Sequence, residues 1–329
     1  MSHWRIGVLG AANIAYNRFL PALEQSERFV FAGIASRSTS QCAPFLERFG
    51  GRGYPDYQSL LQAPEIDCIY LPLPPALHME WGLQVLRAGK HLLMEKPFTT
   101  AAEDTAILLK EAERRGLAIH ENYMFLYHRQ LQEIKQIMAS GELGRIRMIC
   151  AAFTFPHRGA DDFRYNPELG GGALLDCGGY PLRIASELLG GTARLCWSHL
   201  RYDDAHKVDT FGSAVLQNDR GLTAHVFFGI DDTYRCQLEI WGSKASLTAP
   251  RFFTAPPELN PSIHMQTGGE IREIVVEQDN QFLNSITFFA RLLDGSESRP
   301  THNASISRQG ILVQQIQDQN KQIKRKAPL

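Results

Sequence analysis

From Arg5 to His120 the chain alternates short apolar runs with longer amphipathic ones, and this alternation restricts its fold more than any other feature. Arg5–Leu9 reads as a buried strand that stops at Gly10, and Asn13–Gln25 then places Ile14, Phe19, Leu20 and Leu23 at helical spacing. Phe29–Ser36 is a second strand, Ser40–Phe49 a helix, Ile66–Leu71 a third strand, and Leu77–Ala88 a helix closed by Gly89. His91–Met94, Ala101–Arg115 and Leu117–His120 continue the series. Strands separated by helices pair in parallel through right-handed crossovers. The expected fold of residues 1–122 is therefore α/β, a doubly wound parallel sheet of the Rossmann type. Such sheets hold ligands beyond the C-terminal ends of their strands.

After Glu121 the pattern changes. A helix over His128–Ala139 and a turn at Gly141–Gly144 precede a strand, Arg145–Phe155, and a long loop, Pro156–Leu169. Between Arg194 and Leu247 strand-like stretches follow one another without intervening helices, with a hairpin turn at Asn218–Gly221. Consecutive strands without crossovers imply a large, mostly antiparallel sheet. Residues 123–329 are thus expected to form an α+β domain for substrate binding and oligomerisation. One face of its sheet is expected to lie under a helix starting near Asp176 and under Gln281–Leu293. Gln314–Lys326 reads as a solvated terminal helix and tail. A chain of 329 residues exceeds the ~250–300 at which single cores stop growing, in keeping with two domains.

Composition narrows the class of partner. A net charge of −1 supplies no field for nucleic acid or a membrane surface, so an anionic ligand must be held locally. The six cysteines are far apart and pair with no histidine at zinc spacing, so they are read as reduced thiols and no metal is expected. The start of the chain leads directly into a strand, and no run of about 18 apolar residues occurs, so a cytoplasmic protein is expected.

Gly7–Ala15 stands where a dinucleotide fingerprint belongs. Gly10 makes the turn, while Ala12 and Ala15 replace the second and third glycines; Ala12, Asn13 and Ile14 then open the helix whose N-terminus faces a pyrophosphate. At the end of the second strand an NAD enzyme carries Asp or Glu, whereas this chain has Ser36-Arg37-Ser38. A guanidinium there pairs with a 2′-phosphate, which favours NADP(H) over NAD; the competing reading is a solvated residue at a helix entry. Downstream, Gly170–Tyr180 sets flexible glycines, suited to close approach of a ligand, ahead of an Asp and a Tyr on a helix. Together with Glu95-Lys96-Pro97 it describes a hydride-transfer site in which Lys96 and Tyr180 handle the proton.

Gly10–Ala15, Pro72–His78, Glu95–Pro97, Glu121–Phe125 and Gly170–Tyr180 resemble the glucose-fructose oxidoreductase / inositol dehydrogenase / rhizopine catabolism (Gfo/Idh/MocA) family along nearly the whole chain. Within it, Glu121-Asn122-Tyr123-Met124-Phe125 and Gly170–Arg183 are most similar to NADP-dependent sugar 3-ketoreductases of deoxysugar biosynthesis. The resemblance implies that Tyr180 donates a proton to the developing alkoxide and that Lys96 tunes it, since an adjacent ammonium makes a phenol near pKa ~10 a usable acid. Many relatives have His where Tyr180 stands, and Lys96 remains an alternative donor. It further implies a cis bond before Pro97 that aims Lys96 inward. Asp176 either orients Tyr180, Lys96 or a substrate hydroxyl, or merely caps a helix.

Leu73, Pro74 and His78 follow the third strand near the cofactor, with Pro75 in place of a family Asn. His78 is read equally as structural. Glu95 and Asn122 complete the cofactor side. Tyr123 and Phe125 line the substrate cleft or its core, and Arg158 and Arg164 either hold a nucleotide diphosphate or remain unpaired on a surface loop. The expected activity is NADP(H)-dependent reduction of a keto group on a small-molecule carbohydrate, a nucleotide-linked 3-keto-deoxysugar, by a homodimer or homotetramer. An aldose or trans-dihydrodiol dehydrogenase is the enzymatic alternative, and a non-catalytic cofactor-binding regulator the alternative of another class. Outward-facing Val226, Phe228 and Leu238 are the expected apolar patch for a second subunit.

Overall fold

The computed structural model describes residues 3–159 and 161–326, with side chains as far as Lys321. The chain divides into two compact units, one made of the chain up to Met124 with Phe282–Arg308, the other of Phe125–Gln281 with the chain from Gln309. The first unit contains strands β1 (Trp4–Leu9), β2 (Phe29–Ala35), β3 (Arg52–Tyr54), β4 (Cys68–Leu71), β5 (His91–Met94) and β6 (Ile119–Glu121). They form one sheet in the order β3-β2-β1-β4-β5-β6, every pair parallel. The order reverses at β1, as in doubly wound folds, so a crevice opens beyond the strand ends there. β4 and β5 are apolar and almost wholly buried because helices cover both faces of a parallel sheet. Phe19 stacks on Tyr70 with ring centroids 3.6 Å apart, joining the first helical segment to the sheet.

The chain leaves this unit at Met124, near the expected boundary at 122, but returns to it for Phe282–Arg308. The helix expected over the second sheet at Gln281–Leu293 thus belongs elsewhere: Gln281–Asp294 lays Phe289 on Phe29 of β2, with rings 5.8 Å apart and nearly coplanar. Arg28 pairs with Asp294 at 2.7 Å, and the Arg299 guanidinium donates to the Gly116 carbonyl at 2.7 Å.

In the second unit β7 (Ile146–Thr154), β8 (Arg194–Tyr202), β9 (Asp209–Gln217), β10 (Thr223–Gly229), β11 (Arg235–Gly242), β12 (Ser246–Ala249), β13 (Ser262–Thr267) and β14 (Glu270–Val275) form an eight-stranded sheet. Its order is β14-β13-β12-β11-β7-β10-β9-β8, antiparallel except for β10 with β7. The helix Gly179–Leu189 packs on β7 and β10. The final helix, Arg299–Lys326, is more than a solvated end, because Leu312, Val313, Ile316 and Asn320 are buried. The Asn320 amide oxygen accepts from the Leu200 backbone at 2.8 Å.

Strand alternation places Val226, Phe228 and Leu238 inside, each 0% exposed, contrary to the outward placement expected for them. The opposite face carries Trp197, Phe227 and Trp241, exposed by 50%, 37% and 47%. Because side chains alternate with a period of two, a shift of one residue in strand phase moves the whole set from one face to the other. Among the described residues no helix is long and apolar enough to cross a membrane.

Candidate active site

The candidate residues divide between the two units and are described for each separately. In the first, Gly10 ends β1 at φ +116°, and a Cβ there would stand 2.6 Å from Leu73 Cδ2, so only glycine fits. The following helix starts with the wide turn Ala15–Phe19; Ala12 and Ile14 are half-buried and Asn13 is exposed at its mouth. Beyond β2, Ser36 turns inward and donates to Gln41 Oε1 at 2.7 Å, which removes it as a ligand donor. Arg37 is exposed, and the exposed Ser38 and Ser40 hydroxyls bond each other at 2.7 Å beside it. Burial pushes the Tyr57 phenol up, against the opposing charge of Arg37, which puts Tyr57 beside the same corner.

Leu73 and Pro74 follow β4 half-buried. His78 does not face a ligand: it is 0% exposed, with Nδ1 2.8 Å from the Pro97 carbonyl and Nε2 2.7 Å from the Leu73 carbonyl. It ties the loop after β4 to the loop after β5. The Lys96–Pro97 peptide is cis, as the resemblance implied. Around it, Glu121 Oε1 accepts from the Phe98 backbone at 2.9 Å, and Glu95 Oε1 accepts from Tyr70 Oη and Asn122 Nδ2, each at 2.7 Å. Burial pushes the Glu95 carboxyl up, opposed by the Asn122 and Tyr70 bonds and the Lys96 charge. Lys96 is half-buried on a backbone fixed on both sides.

The amide of Asn122 extends this arrangement into residues that sequence reasoning missed. Ser285 Oγ donates to Asn122 Oδ1 at 2.7 Å, His120 Nε2 lies 2.9 Å from Ser285 Oγ, and His302 Nε2 lies 3.1 Å from His120 Nδ1. All four side chains are buried. Nothing in the local sequence of Ser285 or His302 signals this, because the partners are more than 160 residues apart. Tyr123 is 1% exposed.

In the second unit, Tyr180 is 6% exposed, with its ring 4.9 Å from Phe153, 5.7 Å from Phe125 and 5.9 Å from Phe253. Phe125 is fully buried against Phe252 and Phe253 and serves as packing for Tyr180. Asp176 lies four residues earlier in the wide turn Leu174–Gly178. It is no helix cap; Asp209 Oδ2 takes that role by accepting from the Leu174 backbone at 2.7 Å. Asp176 Oδ2 accepts from Arg164 Nε at 2.7 Å. Arg164 Nη1 also reaches both oxygens of Asp162, at 3.0 and 3.1 Å. Burial opposes the charge of Arg164, but Asp176 and then Asp162 outweigh it and hold the guanidinium firmly cationic. Arg158 is exposed, its guanidinium 5.0 Å over the Phe155 ring.

Two glycines of the run, Gly171 and Gly172, are packed against the protein itself. A Cβ on Gly171 would stand 2.5 Å from the Arg164 carbonyl oxygen, and one on Gly172, at φ +113°, 2.3 Å from Asp209 Oδ1. These glycines admit close packing of the protein on itself.

Comparison with known proteins gives the fold a lineage. Residues 4–123 match the model of an oxidoreductase family with an NAD-binding Rossmann fold, and residues 131–248 that of the GFO/IDH/MocA C-terminal domain. A dTDP-3,4-didehydro-2,6-dideoxy-alpha-D-glucose 3-reductase of Actinomadura kijaniata is 39% identical over 95% of this chain and 94% of its own. A crystal structure of a 3-ketoreductase from Actinomadura kijaniata, in complex with NADP and TDP-benzene, aligns with a TM-score of 0.93 at 37% identity, covering 97% of this chain and 98% of its own. A D-xylose 1-dehydrogenase (NADP(+)) 2 of Haloferax volcanii is 30% identical over 89% of this chain and 90% of its own. The chain belongs to the GFO/IDH/MocA family of oxidoreductases.

Proposed function

We propose that this protein is an NADP(H)-dependent reductase that delivers a hydride to the keto group of a dTDP-linked deoxysugar. The observation that carries the reading is likeness along the whole chain to the sugar 3-reductase and to the ketoreductase solved with NADP and TDP-benzene. The residues of the first unit fit the cofactor. Gly10 admits only a tight turn, no carboxylate stands at the end of β2, and Arg37 is exposed with two hydroxyls beside it. Arg37, Ser38 and Ser40 would hold the 2′-phosphate, and Gly10, Ala12, Asn13 and Ile14, at the helix N-terminus, would hold the pyrophosphate. Leu73, Pro74, Glu95 and Asn122 would line the nicotinamide side.

NADPH, when bound, supplies the hydride. Tyr180, a phenol, and Lys96, an ammonium, are the two side chains assigned to handle the proton of the developing alkoxide. Glu121 and His78 fix the chain just after Lys96, at the Phe98 amide and the Pro97 carbonyl, which limits reorganisation of the Lys96 loop during proton transfer. Asp176 orients the reacting groups. Arg158, exposed on the loop before the glycines, pairs with the substrate diphosphate. The buried cysteines Cys42, Cys68, Cys177 and Cys236, none of them in a disulfide among the described residues, suit a reducing, cytoplasmic setting. The exposed face bearing Trp197, Phe227 and Trp241 is the surface for a second copy.

A fluorescence titration with NADPH and then NADH tests the cofactor assignment. Tighter binding of NADPH is expected, and a preference for NADH overturns the role of Arg37. Likeness to the xylose dehydrogenase favours one second reading, oxidation of an aldose. Turnover of D-xylose with NADP, with none of a dTDP-linked keto sugar, would establish that reading.

A further inference from the structure

We propose that Arg164 is a positioning residue for the reaction, holding the first turn of the Tyr180 helix through Asp176 rather than gripping substrate phosphates. The inference rests on the proposed reductase reading for its kinetics and on the second unit alone for its geometry.

Three observations support it. The first is charge. One guanidinium lies between two carboxylates, 2.7 Å from Asp176 and 3.0 Å from Asp162, so its charge is already matched by two anions within the protein. Its flat face is covered as well, with the guanidinium carbon 4.6 Å from the Phe163 ring centroid.

The second is that Arg164 holds the same segment through its backbone. Its carbonyl accepts from the Gly172 amide at 2.8 Å, so close that a Cβ on Gly171 would collide with it. Side chain and main chain of one residue therefore bracket residues 172–176, from the loop that leads into them.

The third is the shape of the turn. Leu174–Gly178 is wound wider than an α-helix, and such turns are rare and occur mostly as single-turn bulges within helices. It is fixed from outside by Asp209 on Leu174 and by Arg164 on Asp176. Tyr180, in the first turn beyond it, takes its place from this winding. A change at Arg164 thus reaches Tyr180 through the helix and Asp176 directly.

The test uses the full chain, with Arg164→Gln, Arg164→Lys, Asp176→Asn and the Arg164→Gln/Asp176→Asn double variant. Active sites are counted by NADPH binding so that misfolded protein does not enter kcat. For Arg164→Gln, kcat with a dTDP-linked keto sugar is expected to fall about tenfold or more, with KM and dTDP affinity by calorimetry held within about threefold. Arg164→Lys restores part of kcat, and the double variant is no slower than Asp176→Asn alone, since both changes break one linkage. Amide exchange over residues 172–180 of the ligand-free protein accelerates in Arg164→Gln. A loss of dTDP affinity of about tenfold with kcat kept assigns Arg164 to the phosphates and overturns the proposal. Unchanged exchange over 172–180, or additive effects in the double variant, overturns it too. If the wild type reduces no dTDP-linked sugar, the reductase reading falls, while the exchange arm still decides the role of Arg164.

Discussion

Replacing Ser285 by Ala removes the central atom of the buried chain that supports Asn122. Its Oγ donates to Asn122 Oδ1 at 2.7 Å and bonds His120 Nε2 at 2.9 Å, and Ser285 is 1% exposed, so water does not replace it. Each of those two atoms loses a buried partner, at about 1–3 kcal/mol apiece. Partial rotation of the Asn122 amide recovers some of this, while His120 is held by His302 and by its stack on Phe289 at 6.0 Å. The net expectation is about 2–4 kcal/mol, or about 30- to 900-fold in the opening equilibrium of the first unit. Because the protein has two units, a single melting point is the wrong observable. Hydrogen exchange resolved by peptide is the assay. β5, β6 and the Gln281–Asp294 helix should lose protection while β7, β10 and β11 keep theirs, and Ser285→Thr should retain most of it. A cost under about 0.5 kcal/mol, or equal losses in both units, would refute the reasoning, since that is the usual range of a surface substitution.

Three further outcomes follow from the same geometry. Burial, with the Arg299 charge, lowers the His91 imidazole to about 4, and its Nδ1 accepts from the Ala118 amide at 2.9 Å. The unfolded chain therefore takes up the proton first, so stability present above pH ~6.5 is lost as pH falls toward 4, by at most about 3 kcal/mol; urea titrations of His91→Gln should show a flatter acid limb. Gly172→Ala, with φ +113° and the Asp209 carboxylate in the way, should cost about 2–3 kcal/mol or abolish soluble expression, whereas Gly190→Ala, at φ +84° in open space, costs about 1 kcal/mol in denaturant unfolding. Arg37→Ala should weaken NADPH about 10- to 100-fold and leave NADH unchanged in fluorescence titration, as expected for one charge-assisted phosphate contact.

The Rossmann half was legible because burial on both faces of a parallel sheet writes continuous apolar runs such as Cys68–Leu71 and His91–Met94 into the sequence. What was not read had weak or long-range signals. β3 is three residues containing a glycine, and the helix after it, Tyr57–Gln62, was announced only by Asp56, which accepts from the Ser59 amide at 2.7 Å. The β13–β14 hairpin turns at Gly268-Gly269 between alternating residues, a readable two-residue loop, but Ile271 and Val275 face solvent and disguise its periodicity. For the candidate site, residue types named the chemistry and misjudged several of the roles. Ser36, His78, Gly171 and Gly172 are turned onto the protein itself. No local pattern separates a glycine that admits a ligand from one that admits a neighbouring carbonyl. Ser285 and His302, arriving from a returning helix, could be found only in three dimensions.

The most direct test of the proposed reductase is transfer of deuterium from NADPH deuterated at both C4 positions to a dTDP-linked 3-keto-deoxysugar, read by mass spectrometry of the product. The account predicts one deuterium on the reduced carbon with wild-type protein. It also predicts losses of roughly 100-fold or more for Lys96→Ala and Tyr180→Phe at unchanged NADPH stoichiometry, the scale of general acid catalysis. Full transfer by the Lys96→Ala/Tyr180→Phe double variant, or no transfer by the wild type, would contradict it.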